Sequence, residues 1–180
     1  MIFFTFLNIT MDVNTLNILI RPSLMSDYGQ VHTILRTTWL DTYHSFVPEA
    51  DLLWYLEKEY SQEKYRRILL DPDSQALLAL VNDQPAGWMR IRFPPEYLNI
   101  VSLYILPQFQ GCGIGSRFLT MANTTAQQRQ YQYITLGVMS DNLKSKNWYE
   151  HQGFRFTTEE PFIIGKSEVL HLFGTKQVQL

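Results

Sequence analysis

The sequence predicts an α/β domain in which one mixed, mostly antiparallel sheet carries helices on both faces. Three apolar β-type runs, at 76–81, 86–93 and 98–105, follow one another across short polar turns, which predicts an antiparallel meander. The third run ends in a glycine-rich turn and a helical pattern, and another β-rich run follows at 133–139. A strand, a helix and a strand at this spacing predict one parallel pair with a right-handed crossover.

Length and composition indicate a single domain with a large core. The chain has 180 residues, of which 46% are hydrophobic, and it carries a net charge of -2. A charge so close to balance provides no basic field for nucleic acid, so no nucleic-acid partner is predicted. The one cysteine, Cys112, excludes an internal disulfide and a cysteine cage, and the four histidines are scattered. No metal site is therefore predicted.

The first 16 residues are predicted to be an N-terminal extension, disordered or strand-like, and residues 17–180 a single domain. The apolar stretch 2–9 has no basic flank and is too short to span a bilayer, so neither a signal peptide nor a membrane helix is expected. A cytoplasmic location, without membrane partners, is the simplest interpretation. Met11 is an alternative start, and whether residues 1–10 belong to the native protein stays open.

The first half of the chain is expected to begin with a short strand at 17–21 that Pro22 ends. A helix follows, because apolar residues recur with helical spacing at Val31, Ile34, Leu35, Thr38 and Trp39. The segment 41–73 contains two short helical patterns and more acidic than basic residues. Two interpretations stay open: solvated helix faces, or an electronegative rim that attracts a cationic amine.

After the meander, the pattern predicts a helix from Ile114 to about Arg129 and a second helix from Leu143 to Gln152 that ends at Gly153. The runs 154–157 and 168–173 then predict a hairpin-like pair at the end of the chain. A repeat, a linker or a low-complexity tract is not found in the sequence, which supports one sheet as the organising element.

The turn between the third strand and its helix is suited to an anion. In the stretch LYILPQFQGCGIGSRFL, Pro107 ends the strand, and Gly111, Gly113 and Gly115 lead into the helix. Free backbone N–H groups and the positive end of the helix dipole favour a phosphate there. The spacing differs from G-x-G-x-x-G, and no lysine follows as in a P-loop. A dinucleotide fingerprint and a nucleotide P-loop are therefore both excluded.

Two motifs together carry a family resemblance. The first is Gln110-x-x-Gly113-x-Gly115, which fits the pattern Q/R-x-x-G-x-G/A. The second begins at Asn142 and reads N-x-x-S-x-x-W-Y-x-x-x-G-F, beside the family pattern N-x-x-A-x-x-[FLW]-Y-x-x-x-G-F. In these motifs and their order the chain resembles the GNAT superfamily of N-acetyltransferases. The resemblance covers residues 18–173, and its motifs lie in the second half.

The resemblance implies a site for acetyl-CoA, the co-substrate, in a gap where the strands 98–105 and 133–139 splay apart. The backbone of Leu103, Tyr104 and Ile105 would pair with the pantetheine arm. The pyrophosphate would be held by the loop that follows, made of Gln110, Gly111, Cys112, Gly113, Ile114, Gly115 and Ser116. Asn142 would contact the pantetheine, and Tyr149 would lie near the thioester sulfur as the acid that protonates the departing thiolate.

Two residues bear on the reaction path. Cys112 occupies a variable position of the loop and no histidine adjoins it in the sequence, which favours direct transfer over an acyl-cysteine. Many members of the family carry a glutamate base at the position of Asn99, and an amide cannot accept a proton. Glu96, Tyr43, His44 and water are the alternatives that the sequence leaves open.

The acceptor is expected to be a primary amine on a small molecule, with polyamines among the candidates. Trp39, Tyr43 and Trp88 are predicted to line an aromatic pocket for a cation, although Trp39 also fits a core position, and Asn99 is a further substrate-site candidate. A protein N-terminal or lysine acetyltransferase and a non-catalytic CoA-binding sensor are the alternatives. The sequence does not distinguish a monomer from a homodimer.

Overall fold

Seven strands form one mixed sheet in the computed structural model, which describes residues 16–178. In chain order the strands are β1 (Ile18–Pro22), β2 (Ser74–Val81), β3 (Gln84–Arg92), β4 (Leu98–Ile105), β5 (Tyr133–Met139), β6 (Arg155–Ile164) and β7 (Ser167–Gln177). The helices are α1 (Tyr28–Tyr43), α2 (Glu49–Glu59), α3 (Gln62–Leu70), α4 (Ile114–Gln128) and α5 (Leu143–His151). The strand order across the sheet is β1-β2-β3-β4-β5-β7-β6.

The antiparallel part of the sheet confirms the predicted meander. β2, β3 and β4 pair in sequence, and Asn82 and Asp83 form the β2–β3 turn with φ angles of 48° and 64°. Positive φ at both central residues fits the tight turns that join right-twisted strands. The predicted C-terminal pair is also present, but β6 and β7 extend well beyond the predicted runs. Polar residues such as Glu159 and Glu160 are accepted in β6 because they are exposed.

The one parallel pair separates after a short stretch of pairing, as predicted. β4 and β5 are in register only from Leu98 opposite Ile134 to Ile100 opposite Leu136. The register between β3 and β4 shifts at Ile91, which leaves Val101 as an extra residue in β4. Beyond that irregularity β4 and β5 no longer pair, so a gap opens in the middle of the sheet.

Helices cover both faces, and two adjacent residues of β3 define the two sides. The Trp88 ring lies 6.4 Å from the ring of Tyr65 in α3, measured between centroids. A Cβ atom on Gly87 would instead point to Phe118 of α4, at 3.4 Å. Because successive side chains of a strand point to opposite faces, α3 and α4 lie on opposite sides of the sheet. Trp39 of α1 contacts Tyr104, which pairs with Trp88, and α1 therefore shares the α3 face.

The predicted apolar face of the first helix is confirmed, since Val31, Ile34, Leu35, Thr38 and Trp39 are all buried. Within residues 16–178, no helix is long and apolar enough to cross a membrane. The predicted extension 1–16 lies almost entirely outside the described residues, and the proposed domain boundary at residue 17 stays a prediction.

Candidate active site

The glycine turn has the backbone geometry of an anion site. Gly111 and Gly113 have φ angles of +79° and +84°, a left-handed conformation that L side chains rarely adopt. Gly113 is the residue before α4, so the helix begins at Ile114 and its first free N–H groups surround the turn. Ser116 in the first helical turn is exposed, which leaves this end of α4 open to a ligand. The turn therefore fits a pyrophosphate.

The two sequence motifs contact each other in the folded chain. A Cβ atom on Gly115 would lie 2.9 Å from the Trp148 indole, so only glycine lets α5 pack this closely against α4. The Gln110 side chain forms a second link, because its amide donates to the Ile105 carbonyl at 3.2 Å and its oxygen accepts from Lys144 Nζ at 2.6 Å. The side chain of Gln110 thus braces the loop. Lys144, which the sequence analysis did not single out, brings a positive charge beside it.

The gap between β4 and β5 leaves one edge of β4 unpaired. Leu103, Tyr104 and Ile105 pair with β3 on one side, and their other edge faces the gap, because the pairing with β5 ends at Ile100. Exposed strand edges offer alternating N–H and C=O groups to an extended chain. The backbone here therefore fits the amides of a pantetheine arm.

A cavity of about 220 Å³ lies at this gap and reaches both sides of the sheet. Its walls include backbone of β4 and β5, Asn142 and Tyr149 from α5, and a group of aromatic side chains from the α1 side. The lining consists of Trp39, Tyr43, Tyr55, Tyr60, Ile100, Val101, Ser102, Leu103, Tyr104, 136–139, Asn142, Ser145, Tyr149, Phe162 and His171. The two predicted substrate residues Trp39 and Tyr43 thus share one cavity with the predicted catalytic Tyr149.

The α5 residues are held by local structure. Asn142 is the residue before the helix, and its side-chain oxygen accepts from the Ser145 backbone N–H at 3.1 Å, which fixes the side chain at the cavity wall. Tyr149 is buried, and its ring packs edge-on against Phe154 at 5.5 Å. Burial raises the pKa of Tyr149 above its usual value, so its hydroxyl stays protonated at neutral pH.

The aromatic wall is uncharged at neutral pH. Burial raises the pKa of Tyr43 to about 12, and it also raises the pKa of Tyr55, Tyr60 and Tyr104. The Tyr60 hydroxyl is hydrogen-bonded to Ser102 Oγ at 3.0 Å. Trp39 stacks on Tyr55 at 5.0 Å with an interplanar angle of 15°. The wall therefore presents ring faces and neutral hydroxyls to a ligand.

Sequence reasoning missed His171 of β7, which lines the same cavity. Its imidazole stacks on Phe162 at 4.4 Å with an interplanar angle of 5°. Burial lowers the pKa of His171 below its usual value, so the ring is mostly neutral at pH 7. An aromatic alternation in β7 was the only signal, and it did not show which face of the strand meets the site.

Two predicted substrate residues, Trp88 and Asn99, do not line the cavity. Trp88 is fully buried in β3, one strand away from the gap, where it pairs with Tyr104 of β4, and its indole N–H donates to Ser23 Oγ at 3.1 Å. Asn99 lies where β4 and β5 are still paired, and its side-chain oxygen accepts from Thr135 Oγ1 at 3.3 Å. The side chain of Trp88 therefore lies beside a neighbouring strand, and that of Asn99 lies before the gap opens.

The residues offered as substitutes for the missing glutamate differ in position. Tyr43 lines the cavity, whereas Glu96 is exposed in the loop before β4. His44 is exposed at the end of α1, where its Nδ1 lies 2.6 Å from the Leu40 carbonyl oxygen. Cys112 does not line the cavity either. Among residues 16–178, no group of three or more potential metal ligands occurs.

A clasp joins α2 to the β6–β7 hairpin, formed by Asp51 of α2 and the β6–β7 turn at 165–167. The Asp51 carboxylate accepts from the Lys166 backbone N–H at 3.1 Å and from Ser167 Oγ at 2.6 Å. These two hydrogen bonds lower the pKa of Asp51. Other acidic residues of the 41–73 segment pair locally, such as Glu59 with Lys64, and none lines the cavity. The structure therefore favours solvated helix faces over an electronegative rim.

A split parallel pair, a glycine turn at a helix N-terminus and a buried tyrosine at the gap define the class of GNAT acetyltransferases. The model of the acetyltransferase (GNAT) family matches residues 34–154, and the chain belongs to this family. It is an N-acetyltransferase by this membership.

Relatives and solved structures agree with this assignment. The "uncharacterized N-acetyltransferase in pepI 3′region" of Lactobacillus delbrueckii subsp. lactis is 24% identical over 77% of this chain and 85% of its own. PaiA N-acetyltransferase from Thermoplasma acidophilum, solved with coenzyme A, superposes with a TM-score of 0.79 at 19% identity, over 89% and 99% of the two chains. The ribosomal-protein-S18-alanine N-acetyltransferase of Escherichia coli gives 0.69 at 14% identity, over 91% and 96%. These structural likenesses show the fold.

Proposed function

We propose that this protein transfers the acetyl group of acetyl-CoA directly to the primary amine of a small molecule with an apolar or aromatic body. The observation that carries the proposal is the enclosed aromatic cavity at the β4–β5 gap, which contains Tyr149. One end of the cavity meets the free edge of β4, and the other is covered by α1, α2 and the β6–β7 hairpin.

Three neighbouring features support the binding of acetyl-CoA. The left-handed glycines before α4 suit the pyrophosphate, the free edge of Leu103–Ile105 suits the amides of the arm, and the gap ends at Tyr149. Coenzyme A is present in the PaiA structure, which shares this fold. When bound here, acetyl-CoA would supply a thioester carbonyl for attack by an amine.

The acceptor half is supported by the composition of the cavity wall. Aromatic faces attract an ammonium group by cation–π interaction, and six aromatic side chains from the α1 side meet there: Trp39, Tyr43, Tyr55, Tyr60, Tyr104 and Phe162. The wall contains no aspartate, glutamate, lysine or arginine among the described residues. A polyamine would bring further ammonium groups without a carboxylate partner, which is costly inside a protein. A monoamine is therefore favoured.

The alternatives fit less well. A protein acceptor needs an open groove for its backbone, whereas the clasp ties α2 to the hairpin, and both of these elements contribute side chains to the aromatic wall. A non-catalytic CoA sensor has no use for a buried tyrosine hydroxyl at the gap, which catalysis of acyl transfer can use as a donor. Both remain outcomes of the experiment below.

The test has a binding arm and a turnover arm. Isothermal titration should show acetyl-CoA binding at about micromolar affinity, and Gly113→Asp should lose it, because the variant places a carboxylate at a left-handed position facing the pyrophosphate. Thiol release is then measured with arylalkyl and alkyl monoamines, spermidine, amino acids and peptides. We expect the highest kcat/KM for a monoamine. Preference for spermidine or a peptide would overturn the acceptor, and binding without turnover on any amine would indicate a sensor.

A further inference from the structure

We propose that His171 is the general base that takes a proton from the attacking amine. This role rests on the proposed function, since it requires that an amine be acetylated in this cavity. It assigns to β7 a task that a glutamate on β4 performs in many members of the family and that Asn99 cannot perform here.

The first step of the argument is position. The His171 ring lies in the cavity wall, and it is held in a fixed orientation by its parallel stack on Phe162 at 4.4 Å. Gly137 on the neighbouring β5 leaves room for the ring, because a Cβ atom there would come within 3.2 Å of His171 Nδ1. Gly137 follows Leu136, the last residue of β5 that pairs with β4, and so lies on the border of the gap. The imidazole therefore adjoins the place where the thioester would lie.

The second step is chemical elimination among the side chains of the cavity wall. The asparagine amide and the serine hydroxyls of the wall are not basic near neutral pH. Burial raises the pKa of Tyr43, Tyr55, Tyr60, Tyr104 and Tyr149, so these hydroxyls hold their protons. Among the described lining residues, His171 is the one group that can both accept and release a proton near pH 7.

The third step concerns the surroundings of the imidazole. The ionisable groups on the elements around it are Glu160 of β6, which is opposite in register and exposed, Tyr55 and Tyr60 of α2, Tyr43 of α1, Tyr104 of β4 and Tyr149 of α5. β5 contributes Gly137 and Met139, which do not ionise. The pKa of His171 is lowered by burial alone, without a charged neighbour as a cause. Within residues 16–178 the ring makes no hydrogen bond to another side chain or backbone group.

The proton balance is complete without a further reactant. An alkyl amine with a pKa near 10 arrives as an ammonium ion, and His171 accepts one of its protons. The free nitrogen lone pair forms a bond to the thioester carbonyl carbon, and the carbon–sulfur bond breaks. As the amide forms, the nitrogen loses a second proton, and the departing thiolate takes up one proton to become the thiol. His171 returns its proton to solvent after the product leaves.

The experiment compares His171→Phe with His44→Gln over pH 5 to 9, using the best amine from the panel. Phenylalanine keeps the stack on Phe162 but removes the base, and His44 is an exposed histidine outside the cavity. Wild-type kcat/KM should rise with pH through a value below 6.5 and then level off, because the neutral imidazole is the active form. In His171→Phe, kcat/KM at pH 7 should fall about 100-fold, and its rise with pH below 6.5 should disappear. His44→Gln should keep the wild-type kcat/KM and its pH dependence. Acetyl-CoA affinity should be the same in all three proteins.

A second variant guards against a purely structural effect. In His171→Ala, added imidazole should restore part of the turnover with a pH profile that follows the added base. If kcat/KM of His171→Phe still rose with pH as in the wild-type protein, the role of His171 would be refuted, and the proposed acetyltransferase function would be unaffected. The wild-type protein provides a test even if a variant fails to fold: a wild-type kcat/KM that does not change from pH 5 to 7 would also refute the proposal. A wild-type protein that binds acetyl-CoA but acetylates no amine overturns the proposed function, and the role of His171 with it.

Discussion

In the proposed reaction Tyr149 assists the departing sulfur, and its environment defines what kind of assistance it can give. Because burial raises its pKa, full transfer of its proton to a thiolate with a pKa near 8.5 is unfavourable. A hydroxyl that stays protonated can still donate a strong hydrogen bond to the developing negative charge. Tyr149 therefore acts best as a hydrogen-bond donor at the thiolate, and the thiol receives its proton as the product leaves.

Tyr149→Phe should lower kcat by about 10- to 100-fold, the range expected for one hydrogen bond to a charged atom. Acetyl-CoA affinity should hold, because the ring still packs on Phe154. Stopped-flow thiol release and isothermal titration measure the two quantities separately. Tyr60→Phe is a matched control, since its hydroxyl also lines the cavity but is bound to Ser102. Wild-type turnover in Tyr149→Phe would remove Tyr149 from the reaction.

Local spacing gave the residues of the acetyl-CoA side but not those of the acceptor side. Gly113, Gly115, Asn142 and Tyr149 belong to contiguous motifs, and their roles depend on one turn and one helix, so a short stretch of sequence defines them. The positions of Trp88 and His171 relative to the cavity depend on which strands border it. Those strands are determined by the gap between β4 and β5, a tertiary feature that no local pattern reports.

At the scale of elements, α2 and the β6–β7 turn act together as the clasp defined above. Gly165 has a φ angle of +61°, and a Cβ atom there would collide with the Asp51 carboxylate, so the turn can approach α2 only with glycine at this position. Phe162 of β6 packs on Tyr55 of α2 at 5.7 Å next to the cavity. The clasp therefore determines how closely the aromatic wall surrounds an acceptor.

Asp51→Ala should loosen this wall, because it removes the acceptor for Lys166 N–H and Ser167 Oγ. We expect KM for the preferred amine to rise about 3- to 10-fold, the effect of losing one to two weak hydrogen bonds, and bulkier amines to become better substrates relative to it. Initial rates over a size series of amines measure both effects. Acetyl-CoA affinity should not change.

Asp41→Ala, at an exposed position of α1, is the matched control for loss of one acidic side chain. An Asp51→Ala protein with the wild-type order of preference among amines would show that the clasp does not limit the size of the acceptor.

The element boundaries themselves were largely predictable from apolar periodicity and turn residues. The clasp was not, because it joins residues that lie 115 and 116 positions apart in the chain.

For the molecule as a whole, the proposed function assigns the two substrates to opposite faces of the split sheet. Acetyl-CoA would lie at the glycine turn, α4 and α5, and the amine would lie against α1, α2 and the hairpin. The amine and the thioester would then meet in the gap. Away from the gap, an ion pair stabilises the junction between β1 and the first helix.

This ion pair joins Arg21 at the end of β1 to Asp27 at the start of α1, with N–O distances of 2.6 and 2.8 Å. The buried Asp27 carboxylate also accepts from the Leu24 backbone N–H at 2.7 Å. The hydrogen bonds from Arg21 hold the pKa of Asp27 below its usual value. Its contribution to stability is therefore complete above pH 3.8, the value for an unpaired aspartate, and is lost as pH falls through the lower folded-state pKa.

Asp27→Asn should destabilise the protein by about 2 to 3 kcal/mol at pH 7, because the partly buried Arg21 loses its counter-ion. For a chain of this size that corresponds to about 4 to 12 °C in Tm. Urea unfolding from pH 7 down to pH 3 measures the difference, which should shrink at the acid end. Glu63→Gln removes the exposed pair with Arg67 and should cost less than about 1 kcal/mol. Equal losses in the two variants would mean that the Arg21 and Asp27 pair contributes no more than a surface ion pair.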